Sequence, residues 1–434
     1  MRRILYILVG MIAIMVLAGS GLSCKSRDLF NEESYDSMVK QRSPVDSVDP
    51  NHTWELSATQ NIHITANAGV GTQMIQILTA DPDFSESANV IAQVPISEGE
   101  TTELSFSYPR IISKLFAAAI DSEGTYTIID FTPSDSVVDF STPLYRQRSV
   151  SHIPSLQYYA FCFENEFPDP GDYDYNDVVL HIAFERATKQ LMKIHVRLAA
   201  VGATEQLASL IRLPDFKFDD IDSIYTEGNL SFNKDISKQY MTVFDQTDLL
   251  VEGRDDEALV NLFVDAHWAT GDVLNEDYGT FKRKYYNVAG ASNSDNQLMV
   301  PREIVYVIRV NDEKRLNSMN LDNIDPFLIH QYNGGRMEIH TYKYRHVQAL
   351  YEYYYSDSEH LPWALKIPKS WFNHPLEGVS MGSRTRESST TEMLFGAYAV
   401  QGHAFGEWAM DKDRFLDWFD YPKSKYFIWK QTTK

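Results

Sequence analysis

The sequence predicts a mainly β protein, with an N-terminal antiparallel β-sandwich followed by a larger β-rich domain of sandwich or jelly-roll type with a few short helices. Three observations favour this fold class. Short segments alternate apolar and polar residues, longer apolar runs are rich in β-branched residues, and turn signals recur about every ten residues. A chain of 434 residues also has room for two domains with cores of their own.

The N-terminus has the pattern of a bacterial lipoprotein signal. Arg2 and Arg3 precede an apolar core, residues 4–18, which is shorter than the roughly 20 apolar residues of a membrane span. Small residues then lead to Cys24. We therefore predict that residues 1–23 are a cleaved signal peptide and that Cys24 is the lipidation site, carrying acyl chains such as palmitate. Residues 24–52 are polar and charged, which predicts a flexible tether.

The chain contains two cysteines. If Cys24 carries lipid, Cys162 has no partner for an intramolecular disulfide, and its place between Phe161 and Phe163 favours a buried structural thiol. The alternative is a disulfide between Cys24 and Cys162 in a secreted protein that carries no lipid.

Residues 53–135 are predicted to form the N-terminal sandwich, because apolar residues there alternate with polar ones, as at Ile62 and Ile64 and at Leu104 and Phe106. The larger domain is predicted to span residues 139–430. Within it, residues 178–184, 193–198 and 304–310 have the pattern of strands, and residues 203–211 have the composition of a short helix.

An acidic loop interrupts the larger domain just before the predicted strand at residues 178–184. Prolines and a glycine at residues 168, 170 and 171 exclude a paired strand there. Aspartate and asparagine oxygens that converge on a short turn are the ligands that calcium prefers. The candidate metal ligands are Asp169, Asp172, Asp174, Asn176 and Asp177, and Glu164 and Glu166 lie upstream. The alternative is a loop of local side-chain to backbone hydrogen bonds without metal.

This loop also carries a family resemblance. Phe163-Glu-Asn-Glu-Phe-Pro with Gly171-Asp-Tyr-Asp-Tyr-Asn-Asp-Val-Val resembles the signature of the LruC-domain family of bacterial envelope lipoproteins. Further similar segments occur at residues 201–208, 321–329, 362–368, 375–380 and 405–409. The resemblance implies an envelope lipoprotein with a β-rich domain and no established catalytic activity, and it names no ligand.

A second acidic cluster contains Asp322, Asn323 and Asp325 before Pro326, and a turn with local hydrogen bonds is the favoured interpretation. Aromatic residues are abundant, at 13% of the chain, which indicates either a large β core or an exposed platform for sugars. The main aromatic groups are residues 351–355, Trp363, Trp371 and Phe372, and then Trp408, Phe415, Trp418 and Phe419.

Enzymatic patterns are weak. Gly378-Val-Ser-Met-Gly382 has the form of a nucleophile elbow, but a polar, loop-like run follows instead of a helix. The formal charge of −21 argues against a nucleic-acid partner, because phosphate contacts need lysine and arginine.

We therefore predict a non-catalytic lipoprotein of the outer membrane, periplasmic or surface-exposed, which acts as a binding or structural module with a calcium-stabilised acidic loop. Its partners are the membrane, through the lipid, and an unidentified protein or glycan. A carbohydrate-binding or carbohydrate-active protein is the alternative, and a subunit of a surface filament is a third reading that rests on architecture alone.

Overall fold

The structure, a computed structural model, describes most of the chain beyond residue 42. The described residues are 37, 43–142, 147–165, 171–213, 216–234, 236, 243–244, 250–254, 257–271, 284–288, 296–332, 335–341, 361–382, 385–388, 391–425 and 427–430. The chain divides into two compact units, and the larger one comprises residues 43–165 and 171–434. Of the smaller unit, residues 1–42 and 166–170, only Ser37 is described. Among the described residues, no helix has the length and apolar character needed to cross a membrane.

Nine strands build two sheets in the first part of the larger unit. Their bounds are β1 (Ser57–Thr65), β2 (Gln73–Leu78), β3 (Asn89–Ile96), β4 (Thr101–Pro109), β5 (Leu115–Ile120), β6 (Tyr126–Phe131), β7 (Val137–Asp139), β8 (Gln147–Arg148) and β9 (Ser155–Leu156). One sheet has the order β4-β1-β7 and the other has the order β8-β6-β5-β2-β3-β9. Most neighbours are antiparallel, whereas β7 and β9 pair in parallel at the edges.

A shared apolar cluster joins these two sheets. Ile62 and Phe106 from one sheet and Ile75 and Val94 from the other belong to the same buried cluster, which is the arrangement of a β-sandwich. The alternation seen in the sequence explains this, because every second residue of a strand points to the same face. The strands β8 and β9 extend the pairing beyond residue 135.

Two larger sheets and three short hairpins or pairs follow. The strands are β10 (Tyr159–Phe163), β11 (Val178–Thr188), β12 (Leu191–Ala200), β13 (Leu207–Leu213), β14 (Ile221–Thr226), β15 (Val251–Arg254), β16 (Glu257–Phe263), β17 (Tyr285–Tyr286), β18 (Asn296–Gln297), β19 (Arg302–Val310), β20 (Asp325–Tyr332), β21 (Gly335–Ile339), β22 (Ala364–Ile367), β23 (Thr385–Ser388), β24 (Thr391–Leu394), β25 (Ala399–Val400) and β26 (His403–Ala404). A six-stranded sheet has the order β14-β19-β12-β11-β10-β22, and a five-stranded sheet has the order β15-β16-β13-β20-β21.

The helices are short, as the sequence predicts. Within the described part of the chain, the named helices are α1 (Ala266–Ala269), α2 (Glu313–Ser318) and α3 (Phe405–Met410), with single 3-10 turns at Phe218–Asp220, Glu227–Asn229 and Trp418–Asp420. The prediction of a mainly β fold is confirmed, and so are the strands expected near residues 178–184, 193–198 and 304–310.

The predicted helix at residues 203–211 is wrong. Leu207–Leu213 is instead a fully buried strand, β13, in the centre of the five-stranded sheet, where it pairs with β16 and β20. Pairing on both sides and burial on both faces outweigh the weak helical preference of a short alanine- and leucine-containing segment.

The last part of the predicted tether contains buried residues. Val45 is 5% exposed and His52 is 1% exposed. Val45 packs in the same cluster as Trp54 and Leu56, and His52 stacks on Trp54 with ring centroids 3.9 Å apart. The positions at which the tether ends and the second domain begins stay predictions.

Candidate functional site

The acidic loop connects two strands in the interior of the six-stranded sheet. Phe163, the last residue of β10, pairs with Val178, the first residue of β11. The segment between them therefore joins neighbouring strands of the sheet. Glu164 follows β10 directly, and Asp172 and Asp174 precede β11, so the chain brings acids from both ends of the loop to one place.

Three carboxylates converge there. One oxygen from each of Glu164, Asp172 and Asp174 lies within 4.8 Å of the others. Glu164 is 1% exposed and Asp174 is 2% exposed, whereas Asp172 is more accessible. Two buried carboxylates beside a third, less buried one form an oxygen-rich cluster.

The backbone of the loop is bent by two tyrosines in the left-handed region. Tyr173 has φ of 58° and Tyr175 has φ of 54°, a conformation that bulky residues rarely adopt. Both rings are buried in the core cluster that also contains Trp408, and the Tyr175 hydroxyl donates to the carbonyl of Pro362 at 2.7 Å. Burial of the rings holds the strained backbone in place.

Backbone amides hold the acids in position. Asp174 accepts hydrogen bonds from the N–H of Asn176 at 3.1 Å and from the N–H of Gly378 at 2.8 Å. Asp177 accepts a hydrogen bond from the N–H of Asn165 at 2.6 Å. Such hydrogen bonds fix the carboxylates in one orientation, and a cation site needs ligands that are fixed in this way.

Electrostatic repulsion is strong in this cluster. Burial raises the pKa of Asp172. Burial also raises the pKa of Asp174 well above its usual value, and the nearby charges of Asp172 and Asp177 raise it further. Carboxylates in this situation are stabilised by a proton or by a bound cation.

The structure describes four of the five predicted ligands, and only two of these four belong to the carboxylate cluster. Asp172 and Asp174 lie together, joined by Glu164. Asn176 serves another contact, because its Nδ2 donates to the carbonyl of Pro375 at 3.3 Å and its Oδ1 faces Gly202, where an added Cβ would lie only 1.8 Å away. Asp177 holds Asn165, as described above, and Asp169 lies outside the described residues.

The segment 375–382 forms the opposite wall of the site, and nothing in its sequence indicated this. Gly378 has φ of 72° and donates its N–H to Asp174, while the charge of Glu377 contributes to the raised pKa of Asp174. Met381 donates its N–H to the carbonyl of Tyr173 at 2.7 Å. The glycines that resemble a nucleophile elbow therefore have structural roles, and Gly382 leaves no room for a Cβ beside Pro44.

The second acidic cluster lies in other contacts. The N–H of Asp322 donates a hydrogen bond to the side chain of Asn320 at 2.8 Å, as expected for a locally bonded turn. The carboxylate of Asp322 also forms an ion pair with Lys366 at 2.6 Å. Asp325 instead lies 2.6 Å from Nδ1 of His340, and both side chains are fully buried.

Of the aromatic residues that suggested a sugar platform, most of those that the structure describes belong to the core. Trp363, Phe372, Trp408, Trp418 and Phe419 are all at most 5% exposed. Trp408 and Trp418 stack with centroids 5.8 Å apart. Trp371 differs, because 45% of it is exposed, and residues 351–355 lie outside the described residues.

The structure describes one of the two cysteines. Cys162 is fully buried on β10, and burial raises the pKa of its thiol, which fits the predicted structural thiol. Cys24 and the predicted signal peptide lie outside the described residues.

Comparison with known proteins gives two matches. Residues 190–384 match a protein-family model described as Domain of unknown function (DUF4842), which covers less than half of the chain. The crystal structure of a "putative lipoprotein from Bacteroides ovatus" superposes with a TM-score of 0.49 and 15% sequence identity, over 83% of this chain and 99% of that one. No curated protein matches the chain. The resemblance to LruC-domain lipoproteins therefore stays a prediction from the motifs.

Proposed function

We propose that the protein is a lipid-anchored envelope protein whose larger β domain is a non-catalytic binding or structural module stabilised by calcium. The observation that carries the calcium part is the convergence of Glu164, Asp172 and Asp174 within 4.8 Å. Asp169, which also belongs to the loop, stays a predicted ligand.

The chemistry of the donor set favours calcium. All three side chains offer hard oxygen atoms, and calcium accepts six to eight such ligands in loose geometry, including backbone carbonyls and water. Magnesium demands a near-ideal octahedron and keeps several of its waters. A bound divalent cation would also offset the repulsion between two carboxylates that are almost completely buried.

The lipid anchor is supported by the sequence. The order of a lipoprotein signal is present in Arg2 and Arg3, the apolar core and Cys24. The other cysteine, Cys162, is buried in the core of the fold. An envelope location also suits the charge of −21, since divalent ions outside the cell screen carboxylates.

Thermal unfolding tests the calcium site. The chain from residue 25 onward is unfolded in excess calcium, in magnesium and in chelator. Millimolar calcium on a site with a Kd of tens of micromolar stabilises the folded state by about 2–3 kcal/mol. Asp174→Asn and Glu164→Gln should remove this gain, whereas Asp219→Asn, at an exposed acid elsewhere, should keep it. Equal unfolding temperatures in calcium and in chelator would contradict the proposal.

A separate experiment tests the anchor. In the full-length chain, Cys24→Ala should abolish acylation, measured by mass spectrometry, and release the protein from the membrane fraction. Cys162→Ala is the matched control and should leave acylation intact. Membrane retention of the Cys24→Ala variant would rule out a lipid anchor at this residue.

A further inference from the structure

A second polar site lies on the half-exposed face of the six-stranded sheet. His181 on β11 pairs with Arg197 on β12, and Arg197 pairs with Glu303 on β19. Directly opposed residues of neighbouring strands point to the same face. A histidine, an arginine and a glutamate therefore lie side by side in one row.

Two aromatic rings enclose this row. The guanidinium carbon of Arg197 lies 4.1 Å from the ring centre of Trp371 and 4.5 Å from that of Tyr158. Trp371 also meets His181 edge to face, with centroids 6.3 Å apart. The turn that contains Trp371 is held to the sheet through the neighbouring Ser370, whose Oγ accepts a hydrogen bond from the N–H of Tyr158 at 2.9 Å.

Buried hydrogen-bonding capacity is left over beneath Trp371. His181 is 2% exposed, and neither of its ring nitrogens has a hydrogen-bond partner among the described residues. Arg197 donates through Nη2 to Glu303 at 2.6 Å, but its Nη1 has no partner within the described part of the chain. Groups of this kind are normally satisfied by protein, water or a ligand.

The backbone at this point is strained. Trp371 has φ of 59°, in the left-handed region that bulky residues rarely adopt. The indole is also 45% exposed, the largest exposure of any tryptophan in the described residues. A large, strained, exposed ring thus covers two polar groups that have spare hydrogen-bonding capacity.

We propose that Trp371, Arg197 and His181 form a saccharide-binding site, in which Trp371 turns aside to admit a sugar ring and then packs against it. A sugar hydroxyl both donates and accepts, which suits a neutral histidine with one donor and one acceptor and an arginine N–H. The apolar face of the ring packs on the indole. Glu303 and the Tyr158 hydroxyl, 3.0 Å apart, line the same row.

Charge favours a neutral ligand group over a free anion. The charge of Arg197 is already balanced by Glu303 at 2.6 Å. Burial lowers the pKa of His181 to about 3, so the imidazole carries no charge at neutral pH. Hydroxyl groups meet this combination without leaving a charge unpaired. The site is independent of the calcium proposal, because it shares no residue with the acidic loop.

A panel of soluble neutral oligosaccharides of glucose, mannose, galactose and N-acetylglucosamine tests the proposal. Titration of the full mature chain is followed by tryptophan fluorescence and by saturation-transfer NMR, in calcium and in chelator. At least one member should bind, and Trp371→Ala should weaken its affinity at least tenfold. Phe84→Ala, at an aromatic that is 85% exposed in the N-terminal sandwich, is the control and should bind normally.

A second variant guards against loss of folding. His181→Phe keeps an aromatic ring in the core but removes both ring nitrogens. If this variant has the unfolding temperature of the wild type, it should still lose saccharide affinity. Absence of binding across the panel, or equal binding by wild type and Trp371→Ala, would overturn the proposal. A crystal structure that shows an ordered water only, bridging His181 and Arg197 in the presence of the saccharide, would overturn it too.

Discussion

The N–H of Gly378 donates a hydrogen bond to a carboxylate oxygen of Asp174 at 2.8 Å, although the two residues are 204 positions apart. This contact closes the acidic site from the side opposite the loop. A glycine suits this position because the φ of 72° at Gly378 is unfavourable for other residues.

Removal of one charge from the acidic site should have opposite effects with and without calcium. In chelator, we expect Asp174→Asn to be at least as stable as the wild type, because repulsion with Asp172 is relieved. In calcium, the variant should be less stable than the wild type by about 2–3 kcal/mol. Urea unfolding under both conditions measures the difference. A variant that is destabilised equally in both would indicate a purely structural role for this carboxylate.

Gly202 should not tolerate a side chain. A Cβ at this position would lie 1.8 Å from Oδ1 of Asn176 and 2.8 Å from its carbonyl oxygen. We expect Gly202→Ala to lower the free energy of unfolding by about 1–3 kcal/mol, as overpacking does. Gly99→Ala is the comparison, because its Cβ would meet only ordinary contact at 3.7 Å, so that its cost arises from the positive φ of 65° and not from crowding. Chemical denaturation measures both, and similar losses would show that steric crowding at Asn176 is unimportant.

The ionic network around His195 should make stability depend on pH. Although burial lowers the pKa of His195, hydrogen bonds to Glu185 and Glu303 raise it overall, from 6.5 to about 9. A raised histidine pKa contributes stability that is fully present below about 6.5 and is lost as the pH rises through about 9. His195→Gln should therefore flatten the fall of stability between these values, as measured by urea midpoints across this range.

Glu303 should act in the acid range. Burial raises its pKa, but the hydrogen bond from His195 and the charge of Arg197 lower it overall from 4.5 to about 2. A depressed carboxyl pKa contributes stability above about 4.5 that is lost as the pH falls through about 2. Glu303→Gln should lose less stability over this acid range than the wild type. An unchanged slope would argue against ion pairing of Glu303 in solution.

Substitution of a buried and of an exposed tryptophan should lower the free energy of unfolding by different amounts. Trp418 is fully buried, and Trp418→Ala should cost about 3–5 kcal/mol. Trp371→Ala should cost less than about 1 kcal/mol, because 45% of the residue is already exposed to solvent. Thermal denaturation of both variants tests this contrast. A large loss from Trp371→Ala would mean that the indole is needed for packing.

The sequence alone determined the secondary structure in most places and the position of the acidic loop. The period-2 alternation at Ile62 and Ile64 and the apolar run that begins at Val178 are local patterns, and local patterns are what burial on a strand face imposes. Proline and glycine around residue 170 placed the loop for an equally local reason. The helix prediction for residues 203–211 was wrong because the segment is short and its composition suits either a helix or a buried strand.

Only the tertiary structure decided which side chains meet. Glu164, Asp172 and Asp174 converge because β10 and β11 are neighbours in the sheet, and Gly378 joins them from a segment some two hundred residues later. Asn176, equally plausible as a ligand by its spacing, turns to Gly202 and Pro375. Exposure of Trp371 and burial of Trp408 were likewise fixed by packing. Contacts between distant segments depend on register and burial in three dimensions, which residue spacing along the chain does not specify.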